Sequence, residues 1–173
     1  MQPGFISGFR GITILFYIRE QIKMIDTKEK TCAELVQGKF DELVNEWEKA
    51  RRFYWEWEEA TEGEQCAMKA IDKHNGDDFH GYDDLYDYVN QNCLGWHYVA
   101  PFTFEDQRAG YYRLQLSYGG PSDEFRIYVD DEKNICGVEY WYMDWFDGAC
   151  VNADKEDVVN DVIESFMMCE RYK

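Results

Sequence analysis

The hydrophobic pattern changes its period near the middle of the chain, and no other feature restricts the fold as much. Between about residues 27 and 59, large apolar side chains recur at steps of three and four, which is typical of an amphipathic helix. From about residue 110 onward, apolar and polar side chains alternate instead, as they do in strands with one buried face. The sequence therefore predicts an α+β fold in which helices come first and a sheet follows.

Two shorter helices are predicted after the first one. The second runs from about Glu62 to His74 and stops at Asn75-Gly76, a pair that ends helices. The third covers Tyr82 to Cys93. The helical half of the protein is thus expected to span about residues 27–93.

The alternating part of the sequence predicts three strands. They are Tyr112–Tyr118, Phe125–Val129 and Val138–Met143, and the turns between them have the length of hairpin connections. Three strands at this spacing form an antiparallel β-meander. The segment Asp144–Gly148 is predicted to leave the sheet.

A closing helix is predicted from about Lys155, with Asp154 as its N-cap. Its apolar stripe is expected to pack on the sheet. The stripe consists of Val158, Val159, Val162, Ile163, Phe166 and Met167. The predicted fold is therefore N-terminal helices, a three-stranded antiparallel meander and a C-terminal helix packed on the sheet, in a single α+β domain of residues 24–173, with sheet and closing helix at about 110–170.

The first 23 residues differ from the rest in composition. Residues 11–18 form an apolar run that is too short to span a bilayer, and no small-residue cleavage site follows it. Met24 opens the acidic, well-patterned region. We expect Met24 to be the native start, and residues 1–23 to be a non-native leader or a disordered extension.

The chain combines strong acidity with many aromatic side chains. It holds 35 acidic residues against 18 basic ones, a net charge of −17, together with 6 Trp, 13 Tyr and 11 Phe. The aromatic side chains supply enough apolar surface for folding, so the charge is expected on a compact surface rather than in a disordered tail. Such a surface repels nucleic acids and anionic lipids and attracts basic clefts. We therefore expect a basic protein partner, no direct binding of nucleic acid or membrane, and aromatic surface that allows a homo-oligomer.

Acidic and aromatic side chains are densest in three stretches, which are the candidate partner-binding surfaces. Carboxylates spaced along helices and turns reproduce the row of charges of a nucleic-acid strand, and exposed aromatic rings add contact area. The alternative is a solvated acidic face that only keeps the protein in solution. The candidates are Trp55, Glu56, Glu58 and Glu59 in the first stretch, Asp83, Asp84, Tyr86 and Asp87 in the second, and Asp130, Asp131, Asp144 and Asp147 in the third.

A loop rich in His and Asp, from His74 to Asp84, leaves open a metal-dependent enzyme or a small-ligand binder. An EF-hand alignment of this loop starts at Asp72, but it puts Asp77 where Gly is needed and Asp83 where Glu is needed. The sequence also lacks a phosphate-binding glycine loop, a serine-hydrolase elbow and a zinc-protease motif. We therefore expect no catalytic residue, no metal and no cofactor.

Basic residues are sparse in the second half of the chain. Arg113 and Arg126 lie on the polar faces of neighbouring predicted strands. They are expected to form cross-strand pairs with Glu124 or Glu139, or else one small positive spot. Six cysteines are spread along the chain without a C-x-x-C pair, which favours reduced thiols and a cytoplasmic location.

Two segments carry a resemblance. Tyr111–Ser122, with the sequence YYRLQLSYGGPS, and Asp144–Ala149, with the sequence DWFDGA, resemble segments of proteins of bacterial mobile elements. In size, acidity and aromatic content the chain is similar to anti-defence proteins of phages and conjugative elements, among them anti-restriction and anti-CRISPR proteins. The resemblance implies a non-enzymatic inhibitor that mimics DNA and occupies the nucleic-acid site of a host nuclease, restriction complex or Cas effector. An immunity protein that neutralises a basic toxin nuclease shares the same physics and stands as the alternative.

Overall fold

A five-stranded antiparallel sheet with helices on one face forms the framework of the protein. The computed structural model describes residues 30–171, so the expected leader at residues 1–23 lies outside the described residues. From Cys32 onward the described chain forms one compact unit. The described helices are α1 (Cys32–Glu59), α2 (Glu62–Asn75), α3 (Leu85–Asn92) and α4 (Asp157–Arg171), with a short 3-10 turn at Phe79–Gly81 between α2 and α3.

The sheet follows the order of the sequence. Its strands are β1 (Gly95–Val99), β2 (Tyr111–Gln115), β3 (Ser122–Val129), β4 (Ile135–Asp144) and β5 (Asp147–Asn152), and each pairs with the next in antiparallel fashion. The predicted α+β class and the meander are confirmed. The predicted number of three strands is wrong, because β1 and β5 extend the meander at its two edges.

The two missed strands lack the signals that identified the other three. Strand β1 has only five residues, so the alternation of Trp96 and Tyr98 with His97 is too short to be distinctive. Strand β5 consists largely of small residues, and its hairpin loop is Trp145-Phe146, whereas such loops usually contain Gly or Asn. Trp145 nevertheless adopts a φ of 50° there, and both ring systems are exposed. The prediction that the chain leaves the sheet after Asp144 is therefore wrong.

The helix boundaries follow the predictions with small shifts. Helix α2 begins at Glu62 as expected and ends at Asn75, where Gly76 takes the left-handed conformation of a C-cap. Helix α4 begins at Asp157 rather than near Lys155, so the expected N-cap at Asp154 is wrong. All six residues of the predicted apolar stripe in α4 are buried, which confirms that part of the prediction.

Helix α1 packs on the middle of the sheet through three aromatic contacts. The ring of Phe125 in β3 lies 6.3 Å from that of Phe40 and 5.5 Å from that of Trp47, both on α1. The Phe40 ring also lies 5.4 Å from that of Tyr140 in β4. Phe125 is fully buried, so these residues form the centre of the main core.

Helix α4 covers the other side of the same sheet face. Its Phe166 ring stacks on Trp96 of β1 at 5.0 Å, and Trp96 in turn stacks on Tyr112 of β2 at 5.4 Å. The closing helix therefore packs on the sheet as predicted. The outward residues of β2, β3 and β4 on the opposite face are not part of this core.

A second, smaller core lies at the C-terminal end of α1. Ala50 and Tyr54 on α1 pack with Phe79 of the 3-10 turn, and the Tyr54 hydroxyl donates a hydrogen bond of 3.0 Å to the Phe79 carbonyl. Burial raises the pKa of Tyr54 far above its ordinary value, so this hydroxyl remains a donor at neutral pH. None of the helices within residues 30–171 has the length and apolar character needed to cross a membrane.

We predict that Phe125→Ala lowers the free energy of unfolding by about 3–5 kcal/mol, because it leaves a cavity between α1 and the sheet. The matched control is Phe146→Ala, which removes a fully exposed ring and should change stability by less than about 0.5 kcal/mol. Urea unfolding followed by far-UV circular dichroism measures both. Equal losses in the two variants would contradict the assignment of the core.

Candidate functional site

The helical half of the protein carries its net charge in one continuous segment, residues 53–93, which we call the acidic region. Its acidic residues are Glu56, Glu58, Glu59, Glu62, Glu64, Asp72, Asp77, Asp78, Asp83, Asp84 and Asp87, against two basic residues, Lys69 and Lys73. The acidic region comprises the end of α1, all of α2, the 3-10 turn and α3. Eight of the twelve predicted partner-binding residues belong to it.

The segment that precedes the acidic region is electrically balanced. Residues 30–52 contain five acidic and five basic residues. Ion pairs tie several of them together, with Lys39 Nζ 2.7 Å from Glu42 and Arg51 2.7 Å from Glu48. Arg51 also reaches Asp161 of α4 at 2.9 Å. The change from balanced charge to net negative charge therefore occurs within α1.

The glutamates at the end of α1 face solvent. Glu56, Glu58 and Glu59 are exposed, and none of them has a hydrogen-bond or ion-pair partner within residues 30–171. Trp55 beside them is 73% exposed. This turn of α1 therefore presents three carboxylates and one large apolar ring to any binding partner.

Most residues of the second predicted group, at the start of α3, make hydrogen bonds or packing contacts within the protein. Asp84 is the N-cap of α3 and accepts a 2.7 Å hydrogen bond from the backbone of Asp87. Asp87 accepts in turn from the backbone of Asp83 at 3.2 Å. The ring of Tyr86 packs 4.8 Å from Phe166 of the main core. Among the three aspartates of this group, Asp83 is the one whose carboxylate accepts no hydrogen bond from the described chain.

The first and second groups both adjoin the smaller core. Tyr54 is next to the first group on α1, and Leu85 is next to the second group on α3. Both side chains pack in the cluster around Phe79. The Tyr88 hydroxyl also donates to the Glu46 carboxylate, which fixes α3 alongside α1. The fold thus brings the first two predicted groups into one region of the protein.

The third predicted group is divided between the two ends of β4. Asp130 and Asp131 lie in the turn before β4, whereas Asp144 and Asp147 lie at the hairpin after it. Asp130 accepts hydrogen bonds from the backbones of Glu132 and Asn134 at 3.0 and 2.8 Å and so closes its own turn. These residues do not join the acidic region.

Asp147 is bound to the start of α1. Its carboxylate accepts a 2.6 Å hydrogen bond from the backbone of Cys32, the first residue of that helix. Burial, followed by the nearby Asp147 charge, raises the pKa of the Cys32 thiol. A carboxylate held in this way caps a helix, and it is a poor candidate for contact with a partner.

The loop from His74 to Asp84 is organised by a buried carboxylate that precedes it. Asp72 is 4% exposed, and its Oδ2 lies 2.9 Å from the backbone nitrogen of His80 and 2.7 Å from His80 Nδ1. Within residues 30–171, no three His, Cys, Asp or Glu side chains are grouped so as to hold a metal ion. The contacts of Asp72 with His80 therefore stabilise the conformation of this loop.

Asp72 also lies at the edge of a hollow of about 440 Å³ beside the acidic region. Its second oxygen, Oδ1, is buried and has no hydrogen-bond partner in the described chain. Glu56, Asp77 and Arg52 share the lining of this hollow. Sequence reasoning did not select Asp72 as a site residue. One sequence signal could have identified it: Asp72 lies in the last turn of a predicted helix, where the helix dipole disfavours a carboxylate.

Arg113 and Arg126 meet at one carboxylate on the open face of the sheet. Arg126 Nε lies 2.7 Å from Glu124, and Arg113 NH1 lies 3.6 Å from the same side chain. The predicted cross-strand pairing with Glu124 is confirmed for Arg113, whereas Arg126 pairs with Glu124 within its own strand, β3. Glu139 instead accepts hydrogen bonds from Tyr128 and Trp141. The central position of Glu124, which is 4% exposed, was not predicted.

Comparisons with known proteins provide no match from which a function could be transferred. No protein-family model matches the chain, and no match was found among curated proteins or among solved structures. Function is therefore inferred from the charges, contacts and exposed rings described above.

We predict that Asp72→Ala lowers the free energy of unfolding by about 1–3 kcal/mol, because the backbone and ring nitrogens of His80 lose their acceptor. Asp77→Ala is the matched control in the same loop, and it should change stability by less than about 0.5 kcal/mol. Thermal or urea unfolding of both variants gives the comparison. If the two losses are the same, Asp72 does not organise the loop.

Proposed function

We propose that this protein is a non-enzymatic inhibitor that uses its acidic region to occupy the nucleic-acid-binding cleft of a bacterial defence enzyme, such as a Cas effector or a restriction complex. The observation that carries this proposal is the distribution of charge in the helical half. Eleven acidic residues face two basic ones in the acidic region, directly after a segment with five of each. A charge needed only for solubility would not have to be concentrated in this way.

The geometry of the last turns of α1 supports mimicry of a charged strand. Glu56 and Glu59 are three residues apart, which corresponds to about 4.5 Å along the helix axis. Phosphates in one strand of a duplex follow one another at about 3.4 Å along its axis. A groove built to hold phosphates therefore finds carboxylates at a comparable spacing.

Trp55 supplies the apolar part of the proposed interface. Its indole is 73% exposed, although large aromatic side chains are usually more buried. Tryptophan is enriched among the residues that contribute most to binding energy when a partner covers them. Three glutamates on the same turns would surround this anchor with charge.

Under this proposal, association with the partner is fast and becomes weaker as the salt concentration rises. Apart from the buried Asp72, the carboxylates of the acidic region are exposed or partly exposed, so their attraction for a basic cleft is screened as ionic strength rises. An immunity protein for a basic toxin nuclease would show the same dependence. The identity of the captured enzyme, as a defence enzyme or a toxin, separates these two functions.

We predict that the protein captures a nucleic-acid-binding enzyme from bacterial lysate at about 0.05 M salt and releases it at about 0.5 M salt. The recovered enzyme should lose its binding of DNA or RNA when the purified inhibitor is added. The triple variant Glu56→Lys, Glu58→Lys, Glu59→Lys should bind it about tenfold or more weakly, because the basic cleft repels the three lysines that replace the glutamates. Titration with purified partner measures this affinity.

The matched control is the triple variant Asp41→Lys, Glu132→Lys, Asp154→Lys. It makes the same change in net charge at exposed positions outside the acidic region. Circular dichroism should show that both variants keep the fold. If both triple variants lose affinity equally, only total charge matters. If neither loses affinity, the acidic region is not the binding surface.

A further inference from the structure

The sheet face opposite the helices contains a cleft that the acidic region does not reach. It has a volume of about 770 Å³ and lies between the outward side chains of β2, β3 and β4 and the loop at residues 104–109. Small-molecule sites in proteins usually measure about 300–1,000 Å³. This cleft therefore has the size of a ligand site.

A buried ionic cluster forms the floor of the cleft. The Glu124 side chain is 5% exposed, while those of Arg126 and Arg113 are 19% and 25% exposed. The Glu124 carboxylate thus forms ion pairs with both guanidinium groups. Taking these charges out of water is costly, so such a cluster requires close pairing. The pairing also holds both arginines in fixed positions.

Glu139 lies beside the cluster and balances its second positive charge. It stands directly opposite Arg126 in the pairing of β3 with β4, and it accepts hydrogen bonds from the Tyr128 hydroxyl at 3.0 Å and from Trp141 Nε1 at 2.8 Å. His97 Nε2 accepts a 2.6 Å hydrogen bond from Arg113 Nε. Burial, followed by the Arg113 charge, lowers the pKa of His97, so its ring is neutral at neutral pH. Within the described chain, the terminal nitrogens of Arg113 and Arg126 donate no hydrogen bond to an oxygen, so these N–H groups remain available to a ligand.

A buried hydroxyl without a partner lies in the same cleft. Tyr111 is 1% exposed, and its hydroxyl makes no hydrogen bond within the part of the chain that the structure describes. Buried polar groups in proteins are nearly always satisfied, so an exception requires an explanation. Burial raises the pKa of Tyr111, so the hydroxyl can donate at neutral pH. A bound acceptor would satisfy it.

Aromatic rings supply flat surfaces around the floor. The Arg126 guanidinium lies 4.0 Å from the Trp141 ring centre and 5.1 Å from that of Tyr111. Tyr118 and Phe104, which also line the cleft, are 85% and 52% exposed. Exposed rings of this kind pack well against a planar apolar body.

The rim of the cleft limits the charge of the ligand. Glu105, Asp106 and Arg108 lie on the lining loop, which therefore adds one negative charge. The whole chain carries a net charge of −17. A ligand with several negative charges would be repelled more strongly on approach than one with a single negative charge, so we expect the free guanidinium N–H groups to bind a singly charged anion.

We propose that this cleft binds a small aromatic carboxylate. The carboxylate accepts hydrogen bonds from the Tyr111 hydroxyl and from the terminal nitrogens of Arg113 and Arg126. The aromatic body of the ligand packs against the exposed rings of Tyr118 and Phe104. This site is separate from the proposed inhibitory surface and does not depend on it.

The test uses four probes that share one ring system: 2-naphthoate, 2-naphthyl phosphate, 2-naphthol and 2-naphthylmethylamine. Nuclear magnetic resonance of the tryptophan indole N–H groups and calorimetry follow their binding to the full chain. We expect saturable binding of 2-naphthoate with a Kd of about 1 mM or lower, and a shift of the Trp141 signal. The other three probes should bind more weakly.

Tyr111→Phe is the decisive variant. It should weaken binding of 2-naphthoate about tenfold or more, because it removes a donor to a charged group. Without ligand it should keep or raise thermal stability, because the hydroxyl it removes has no partner. Tyr82→Phe, a matched change in the loop before α3, should alter neither property.

Three outcomes would overturn the proposal. The first is an absence of saturable binding of 2-naphthoate to the parent chain at millimolar concentration. The second is tighter binding of the phosphate, the alcohol or the amine than of the carboxylate. The third is equal affinity of the parent and Tyr111→Phe for 2-naphthoate, which would place the ligand elsewhere.

Discussion

The contact between α1 and the middle of the sheet is the interaction on which the rest of the structure depends. Phe40 and Trp47 of that helix meet Phe125 of β3, which is fully buried. A helix of 28 residues is about 42 Å long, whereas the longest strand, with ten residues, spans about 33 Å. The helix therefore extends past the sheet. Its far end needs a second core of its own, and that end carries the unpaired acidic side chains.

Acidity in this protein has two physical uses that the total charge does not separate. Several carboxylates replace missing hydrogen-bond partners of the backbone, as Asp84 does for α3 and Asp130 does for its turn. Others, such as Glu56 and Glu58, have no partner in the described chain and remain available to solvent. The sheet presents a third situation, in which Glu124 is buried and neutralised by arginine. Only the second kind can attract a basic surface without disturbing the fold.

The sequence predicted those parts of the fold in which one physical signal was strong. The apolar stripe of α4 and the alternation around Leu114, Phe125 and Tyr140 were sufficient to identify the helix and the three inner strands. Strand β1 was missed because it has only five residues, and strand β5 was missed because it consists largely of small residues. For the site, composition predicted exposed glutamates near Trp55. It could not predict the roles of Asp72 or Tyr111, because those depend on contacts between distant residues.

The hydrogen bond from Cys32 to Asp147 links the first turn of α1 to a hairpin 115 residues later in the chain. During synthesis on the ribosome, that turn emerges long before its capping carboxylate does. Isolated helices are stabilised only weakly by their own sequence, and contacts between distant residues form slowly. The start of α1 is therefore completed only when nearly the whole domain has been translated, and a shortened nascent chain exposes a frayed helix end.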